Sequence, residues 1–109
     1  MTEEGKKYLS DISRAIDLIE SFTKEIDDFE EYHEDLKTQS ATERQLAIIG
    51  EALNKLSKVE TDLSINNDKQ IIAFRNRLVH AYDSIDNSIV WTILKKYLPK
   101  LKKEIEPFL

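Results

Sequence analysis

The chain contains no cysteine. That excludes a disulfide scaffold and any thiolate-held metal. Glycine and proline occur only twice each. With so few helix breakers, and with Lys, Glu, Leu and Ile plentiful, long helices and short connections are expected. Long apolar runs are also missing. No stretch approaches the roughly 20 residues that a membrane span requires. The opening residues, Met1-Thr2-Glu3-Glu4-Gly5-Lys6-Lys7, are charged and lead into no uninterrupted apolar segment. They do not read as a signal peptide, and a cytoplasmic location is the expectation. Positive charge is in deficit: 16 Lys and Arg stand against 21 Asp and Glu, a formal net charge of −5. Such a chain does not coat DNA or RNA by bulk attraction, since phosphate binding rests on Lys and Arg. An enzyme with one local basic site remains open.

What is present is amphipathic periodicity. The 109 residues have room for one core, so a single domain over 1–109 is expected. A chain this short buries a modest share of its surface, which makes pairing with a second copy a reasonable expectation. Tyr8, Ile12, Ala15, Ile19, Phe22, Ile26 and Phe29 recur every three or four residues, marking a helix from about Glu3 to the mid-twenties. The acidic stretch Glu25–Asp35 follows, and the stripe enters it through a kink or a short second helix. It reads as a solvated face, with docking of a basic partner as the sharper alternative. Lys37–Thr42 reads as a turn, with Ser40 or Thr42 as the N-cap of the next helix. Leu46, Ile49, Leu53 and Leu56 stripe that helix to about Lys58. Gly50 inside it costs about 1 kcal/mol against alanine, which points to close approach of a neighbouring helix. Thr61–Asp68 is a clear break, with Asn66-Asn67-Asp68 as turn and cap. A helix from near Lys69 carries Ile71, Ile72, Phe74, Leu78 and Val79 and ends near His80 or Ala81. Asp83–Ser88 is loop-like. A last helical region runs from Ile89 to Ile105, with Pro99 placed to restart it at a first turn. The fold class expected is all-α: an antiparallel bundle of four to five helices, dimeric.

Arg75-Asn76-Arg77-Leu78-Val79-His80-Ala81-Tyr82 is unusually polar for the end of a helix with an apolar side. The residue types suit phosphate chemistry. Arginine presents a fork of donors that matches phosphate oxygens. Histidine exchanges a proton near neutral pH. RNA brings its own nucleophile, the 2′-hydroxyl, so a base and a cation suffice without metal. Asn76 can orient the reacting groups. Arg75 and His80 are five positions apart, so on one straight helix they point about 140° apart. Two routes bring them together: the helix ends at His80 and frees its side chain, or two copies of the segment face each other. On spacing alone, a structural role favoured by the helix dipole ranks well above catalysis.

The segment resembles the motif of the HEPN superfamily: Arg75, the polar Asn76, three further residues, then His80. The longer string, with Tyr82 two residues after the histidine, resembles the HepT branch. Arg44-Gln45-Leu46-Ala47-Ile48-Ile49-Gly50-Glu51-Ala52 is similar to that branch's preceding helix. Trp91 and Leu98-Pro99-Lys100-Leu101 are similar to its C-terminal part. The resemblance covers most of the chain. Ala81 departs from it by standing where glycine is common, a difference that touches no catalytic group. The resemblance implies a dimeric helical toxin of a toxin–antitoxin pair, acting as a metal-independent endoribonuclease that needs no cofactor. It implies Arg75 on the phosphate, His80 as general base or acid and Asn76 in support. It further implies a minimal nucleotidyltransferase partner that attaches AMP to Tyr82 and blocks the cleft with bulk and negative charge. RNA is the expected substrate, and neither DNA nor a membrane is expected as a partner. The competing class is a non-catalytic nucleotide-binding or partner subunit of such a nucleotidyltransferase.

Other polar residues carry weaker signals. Tyr82 without the resemblance is a packed aromatic with a wet hydroxyl. Arg77 is evenly divided between cleft potential and solvated helix. His33 reads as a surface residue, and two distant histidines give a metal site little support. Lys95, Lys96, Lys100, Lys102 and Lys103 form a basic patch that serves solubility or, on the sharper reading, guides RNA. Glu51 is divided between cleft residue and surface ion pair. Trp91 reads as core or dimer interface.

Overall fold

Helix α3 (Leu36–Val59) is the spine of the molecule, flanked by α1 (Glu3–Thr23) on one side and α4 (Asp68–His80) on the other. The computed structural model covers residues 1–109 and describes all of them except the side chain of Tyr82. Short α2 (Phe29–Glu34) links α1 to α3. A 3₁₀ turn, Tyr82–Ser84, follows α4. Then come α5 (Asn87–Thr92), a π turn (Ile93–Tyr97), α6 (Leu98–Ile105) and a final 3₁₀ turn (Glu106–Phe108). The run from Asn87 to Ile105 is one continuous helical rod, so the bundle has five helices, as the periodicity predicts.

The core follows from two heptad-like stripes. Leu9, Ile12, Ile16 and Ile19 of α1 face Leu46, Ile49, Leu53 and Leu56 of α3, and all eight are at most 2% exposed. At roughly 1.5–3 kcal/mol for each fully buried aliphatic side chain, this seam outweighs any surface contact in the molecule. Ile71, Phe74 and Leu78 close it from α4; Val90, Leu94, Leu98, Leu101 and Ile105 close it from the C-terminal rod. The direction of α1 is set by its ends. The Thr2 backbone N–H donates to Glu60 Oε1 at 2.8 Å, so the start of α1 meets the end of α3 and the two run antiparallel. The Asn66 N–H donates to Glu104 Oε2 at 3.0 Å, tying the start of α4 to the end of α6.

Two local expectations change, at Lys37–Thr42 and at Phe22. Lys37–Thr42 is helix, not turn, and neither Ser40 nor Thr42 caps it. Asp35 is the cap: its carboxylate accepts from the Thr38 N–H at 3.0 Å and the Thr38 hydroxyl at 2.7 Å. An aspartate one turn earlier thus claims the free amides. Phe22 is exposed, because Leu9 and Ile16 rather than Tyr8 and Phe22 centre the buried face of α1. The acidic stretch resolves into the short helix α2, whose Tyr32 is fully buried. Burial pushes its phenol well above the usual tyrosine range, so it packs as a neutral group. Asn67 caps α4 by backbone geometry alone, in the left-handed region at φ 64°, and its side chain makes no capping bond. Asparagine tolerates that conformation better than most residues. Pro99 lies in the first turn of α6, just past the π turn. Its ring would crowd the carbonyl four residues back, and the wider π turn relieves that clash.

Candidate functional site

The geometry of the site begins at Gly50. A Cβ placed there would collide with Arg75 Cβ, and would stand 3.0 Å from Arg75 Cγ and 3.2 Å from the Ile71 carbonyl oxygen. Helices α3 and α4 touch at this point, as the glycine predicts. One residue further along α3, Glu51 Oε2 lies 2.8 Å from Arg75 Nη2. Arg75 Nη1 also donates to Asn76 Oδ1 at 3.0 Å. The guanidinium is therefore held by two neighbours while its side chain stays about 29% exposed. Both alternatives for Glu51 hold at once: it lines the cleft and forms a partly exposed ion pair.

Arg75 forms part of the wall of a cleft of about 280 Å³ between α1, α3 and α4. Lys7, Tyr8 and Asp11 enter it from α1, and Arg44, Glu51 and Lys55 from α3. Four basic side chains and two carboxylates line it, a local excess of two positive charges in a chain of net charge −5. Sequence reasoning did not single out Lys7, Tyr8 or Lys55. A signal was available for Lys55 alone: Arg44, Ile48, Glu51 and Lys55 step by four, three and four residues, which is one helical face beside the core stripe. Among the described residues, no three His, Asp or Glu side chains gather so as to hold a metal ion.

His80 is elsewhere. It is the last residue of α4, it is exposed, and it is absent from the walls of the cleft. α4 ends at His80, and on that helix Arg75 and His80 point about 140° apart; the cleft wall holds the first and not the second. Val79, which does border the cleft, is 44% exposed beside the histidine. Arg77 faces the other way. Its charge helps to hold the Asp86 carboxyl below the usual range, a shift caused chiefly by hydrogen bonds from Ser88. The side chain of Tyr82 lies outside the described residues. His33 is a surface residue whose ring meets Asn87 Nδ2 at 3.1 Å. The basic patch is partly occupied internally. Lys102 Nζ donates to Glu20 at 2.9 Å, Lys95 sits 4.6 Å from the centre of the Trp91 ring, and Lys96 lies 5.6 Å from that of Tyr97. Trp91 is half-buried against the core and close to Tyr32, with 5.6 Å between ring centres.

A five-helix bundle with a basic cleft built around one tethered arginine, and an exposed histidine one turn and a half further along the same helix, defines an all-α protein of the HEPN type. Residues 12–108 match the family described as Ribonuclease HepT-like, and the chain belongs to it. It is 38% identical over 110 residues to "Probable ribonuclease HepT" of Thermococcus cleftensis, an alignment covering 97% of this chain and 96% of that one. It is 35% identical over 102 residues to a "Putative RNase" of Methanocaldococcus jannaschii, covering 93% of each chain. A "Putative RNase" of Caldanaerobacter subterraneus is 30% identical over 105 residues, covering 95% of this chain and 93% of that one. No solved structure matches the chain significantly.

Proposed function

We propose that this protein is a metal-independent endoribonuclease, the toxin of a toxin–antitoxin pair, with Arg75, Asn76 and His80 as its catalytic residues. The observation that carries the reading is the placement of Arg75, whose guanidinium is tethered at 2.8 Å to Glu51 on the wall of a cleft with excess positive charge. A guanidinium so held is preorganised to receive a phosphodiester and to stabilise charge that develops on it. His80 removes the proton from the ribose 2′-hydroxyl. The oxygen attacks phosphorus, the 5′-oxygen leaves with a proton, and a 2′,3′-cyclic phosphate remains. Because one chain holds Arg75 and His80 on different faces of α4, the reading pairs Arg75 of one copy with His80 of a second across a two-fold axis. Asn76, bonded to the guanidinium at 3.0 Å, supports its orientation. Tyr82, two residues beyond the histidine, is the site at which a minimal nucleotidyltransferase partner attaches AMP and silences the cleft.

The test is cleavage of total RNA by purified protein in the presence of EDTA. Wild type is expected to cut. His80→Ala and Arg75→Ala are each expected to lose at least about a hundredfold, the scale of a positioned acid–base or electrostatic group. Both should keep their helical circular dichroism, since His80 is exposed and neither residue belongs to the core. A dimer that binds ATP or AMP but leaves RNA uncut would replace this reading with that of a non-catalytic partner of the nucleotidyltransferase.

A further inference from the structure

The cleft extends well past Arg75, and its far end has a composition that the catalytic reading does not use. A chain of contacts runs along it. Arg75 meets Glu51 at 2.8 Å, Glu51 meets Lys55 at 3.7 Å, and the Lys55 ammonium lies 5.9 Å from the centre of the Tyr8 ring. Lys7 approaches the same ring at 5.9 Å, with its charge already matched by Asp11 at 2.8 Å. Arg44 borders the cleft and joins no ion pair among the described residues. Tyr8 is only partly buried although it packs against the core.

We infer that the Tyr8 end of this cleft is a nucleotide subsite, which holds the residue of a single-stranded RNA next to the scissile phosphate. The inference rests on the ribonuclease reading for the identity of the strand and adds to it a second place where the strand is gripped. An aromatic face takes a base by stacking, in a way that tolerates any sequence. The unmatched Arg44 guanidinium offers a planar fork to the neighbouring phosphate, and Lys55, whose 3.7 Å contact with Glu51 is loose, offers a point charge. An anion subsite alone would need no aromatic wall. An apolar pocket would not carry a surplus of two cations. One aromatic ring with cationic groups around it, in a groove whose wall also holds the arginine proposed to hold the reacting phosphate, fits a base with a phosphate on either side.

The experiment measures binding and cleavage separately on the full-length protein. The binding probe is a labelled, single-stranded 2′-O-methyl RNA of roughly ten nucleotides, which lacks the nucleophile and stays intact, read by fluorescence anisotropy over a salt series. Tyr8→Leu is expected to weaken binding about tenfold, while Tyr8→Phe, which keeps the ring, stays within about twofold of wild type. Arg44→Gln and Lys55→Gln are each expected to weaken binding and to flatten the slope of log affinity against log salt by about 0.7. These two replacements are surface changes, so they test the subsite even where Tyr8→Leu disturbs the packing of α1. Wild-type affinity and slope in Arg44→Gln and Lys55→Gln, or failure of wild type to bind the probe, overturns the subsite. If the variants lose binding as expected but unmodified RNA is never cut, the ribonuclease reading falls and the subsite stands. If RNA is cut while every variant binds normally, the reverse holds.

Discussion

Replacing Gly50 with alanine sets two opposed effects against each other, and the structure decides the sign. Helix propensity alone favours Gly50→Ala by about 1 kcal/mol, because glycine in a helix interior is that much worse than alanine. The new methyl group, however, arrives where α3 and α4 touch. It would collide with Arg75 Cβ and lie 3.2 Å from the Ile71 carbonyl oxygen. Neither atom can swing aside, since a Cβ is fixed to its backbone and a helical carbonyl is committed to its hydrogen bond. Relief therefore requires the helices to separate, and overpacking against two fixed atoms lies toward the upper end of the usual range, about 2–3 kcal/mol. Separation also loosens contacts of Ile71 and Phe74, both of which are buried. A net loss of about 1–2 kcal/mol follows, which lowers Tm by roughly 4–10 °C in a domain of this size. The same shift draws Arg75 away from Glu51, so RNA cleavage should fall along with Tm. The assay is thermal unfolding followed by circular dichroism, with cleavage measured at a temperature where both proteins are folded. A Tm equal to or above that of wild type would show that α3 and α4 do not meet as closely as described, and would remove the physical basis for the placement of Arg75.

Glu51→Gln should barely change stability, by less than about 1 kcal/mol, because the pair is partly exposed and screened by solvent. It should nevertheless reduce RNA cleavage roughly tenfold, since an untethered guanidinium must be ordered anew in each turnover; unchanged or faster cleavage would mean that the carboxylate only competes with substrate. Gln39→Met removes an amide that donates to the carbonyls of Tyr32 and His33 at 2.8 and 2.9 Å and accepts from Asn87 at 3.1 Å. Leaving those partners unpaired should cost about 1–3 kcal/mol, read by urea unfolding, and an unchanged midpoint would rule out this junction as a source of stability. Acid sensitivity has a definite sign. Thr38 holds the Asp35 carboxyl below its ordinary value of 3.8 through its hydroxyl and its N–H, and Ser88 does the same for Asp86. A carboxylate depressed in the folded state stabilises it above the unfolded pKa and loses that contribution as pH falls through the folded value. Tm should thus hold steady down to about pH 5 and decline below about pH 4, with Asp35→Asn showing a shallower decline; equal acid limbs would contradict the capping role.

Much of the bundle could be read from the sequence because helices declare themselves by period. The stripe Leu46, Ile49, Leu53, Leu56 identified α3, and the break at Asn66–Asp68 placed the start of α4 to within one residue. The errors fell where two local signals competed. From Asp35 to Thr42 there are four residues of capping type, and hydrogen-bond geometry rather than residue type decides for Asp35. In α1 two apolar stripes lie side by side, one through Tyr8 and Phe22 and one through Leu9 and Ile16. Only the packing of α3 shows which is buried.

The candidate site divides along a different line. Whatever depends on contacts within α3 and α4 was legible: the arginine by its type, and Gly50 as the point of helix contact by its cost. What depends on a third element was not. Tyr8 and Lys7 lie more than thirty residues before Arg44, and only the antiparallel return of α3 along α1, fixed by the Thr2–Glu60 contact, carries them into the same cleft. The pair proposed as catalytic adds a further level. A five-residue spacing on one helix sets His80 about 140° from Arg75, and His80 does not line the cleft that Arg75 borders. In one chain the cleft holds the arginine and leaves the histidine outside it. Mixing Arg75→Ala with His80→Ala tests whether a second copy supplies the base. The heterodimer restores one intact Arg75–His80 combination across the axis, so the mixture should recover a fraction of wild-type cleavage that neither variant shows alone. Continued silence of the mixture, with heterodimers demonstrated by mass, would refute the pairing of Arg75 of one copy with His80 of its partner.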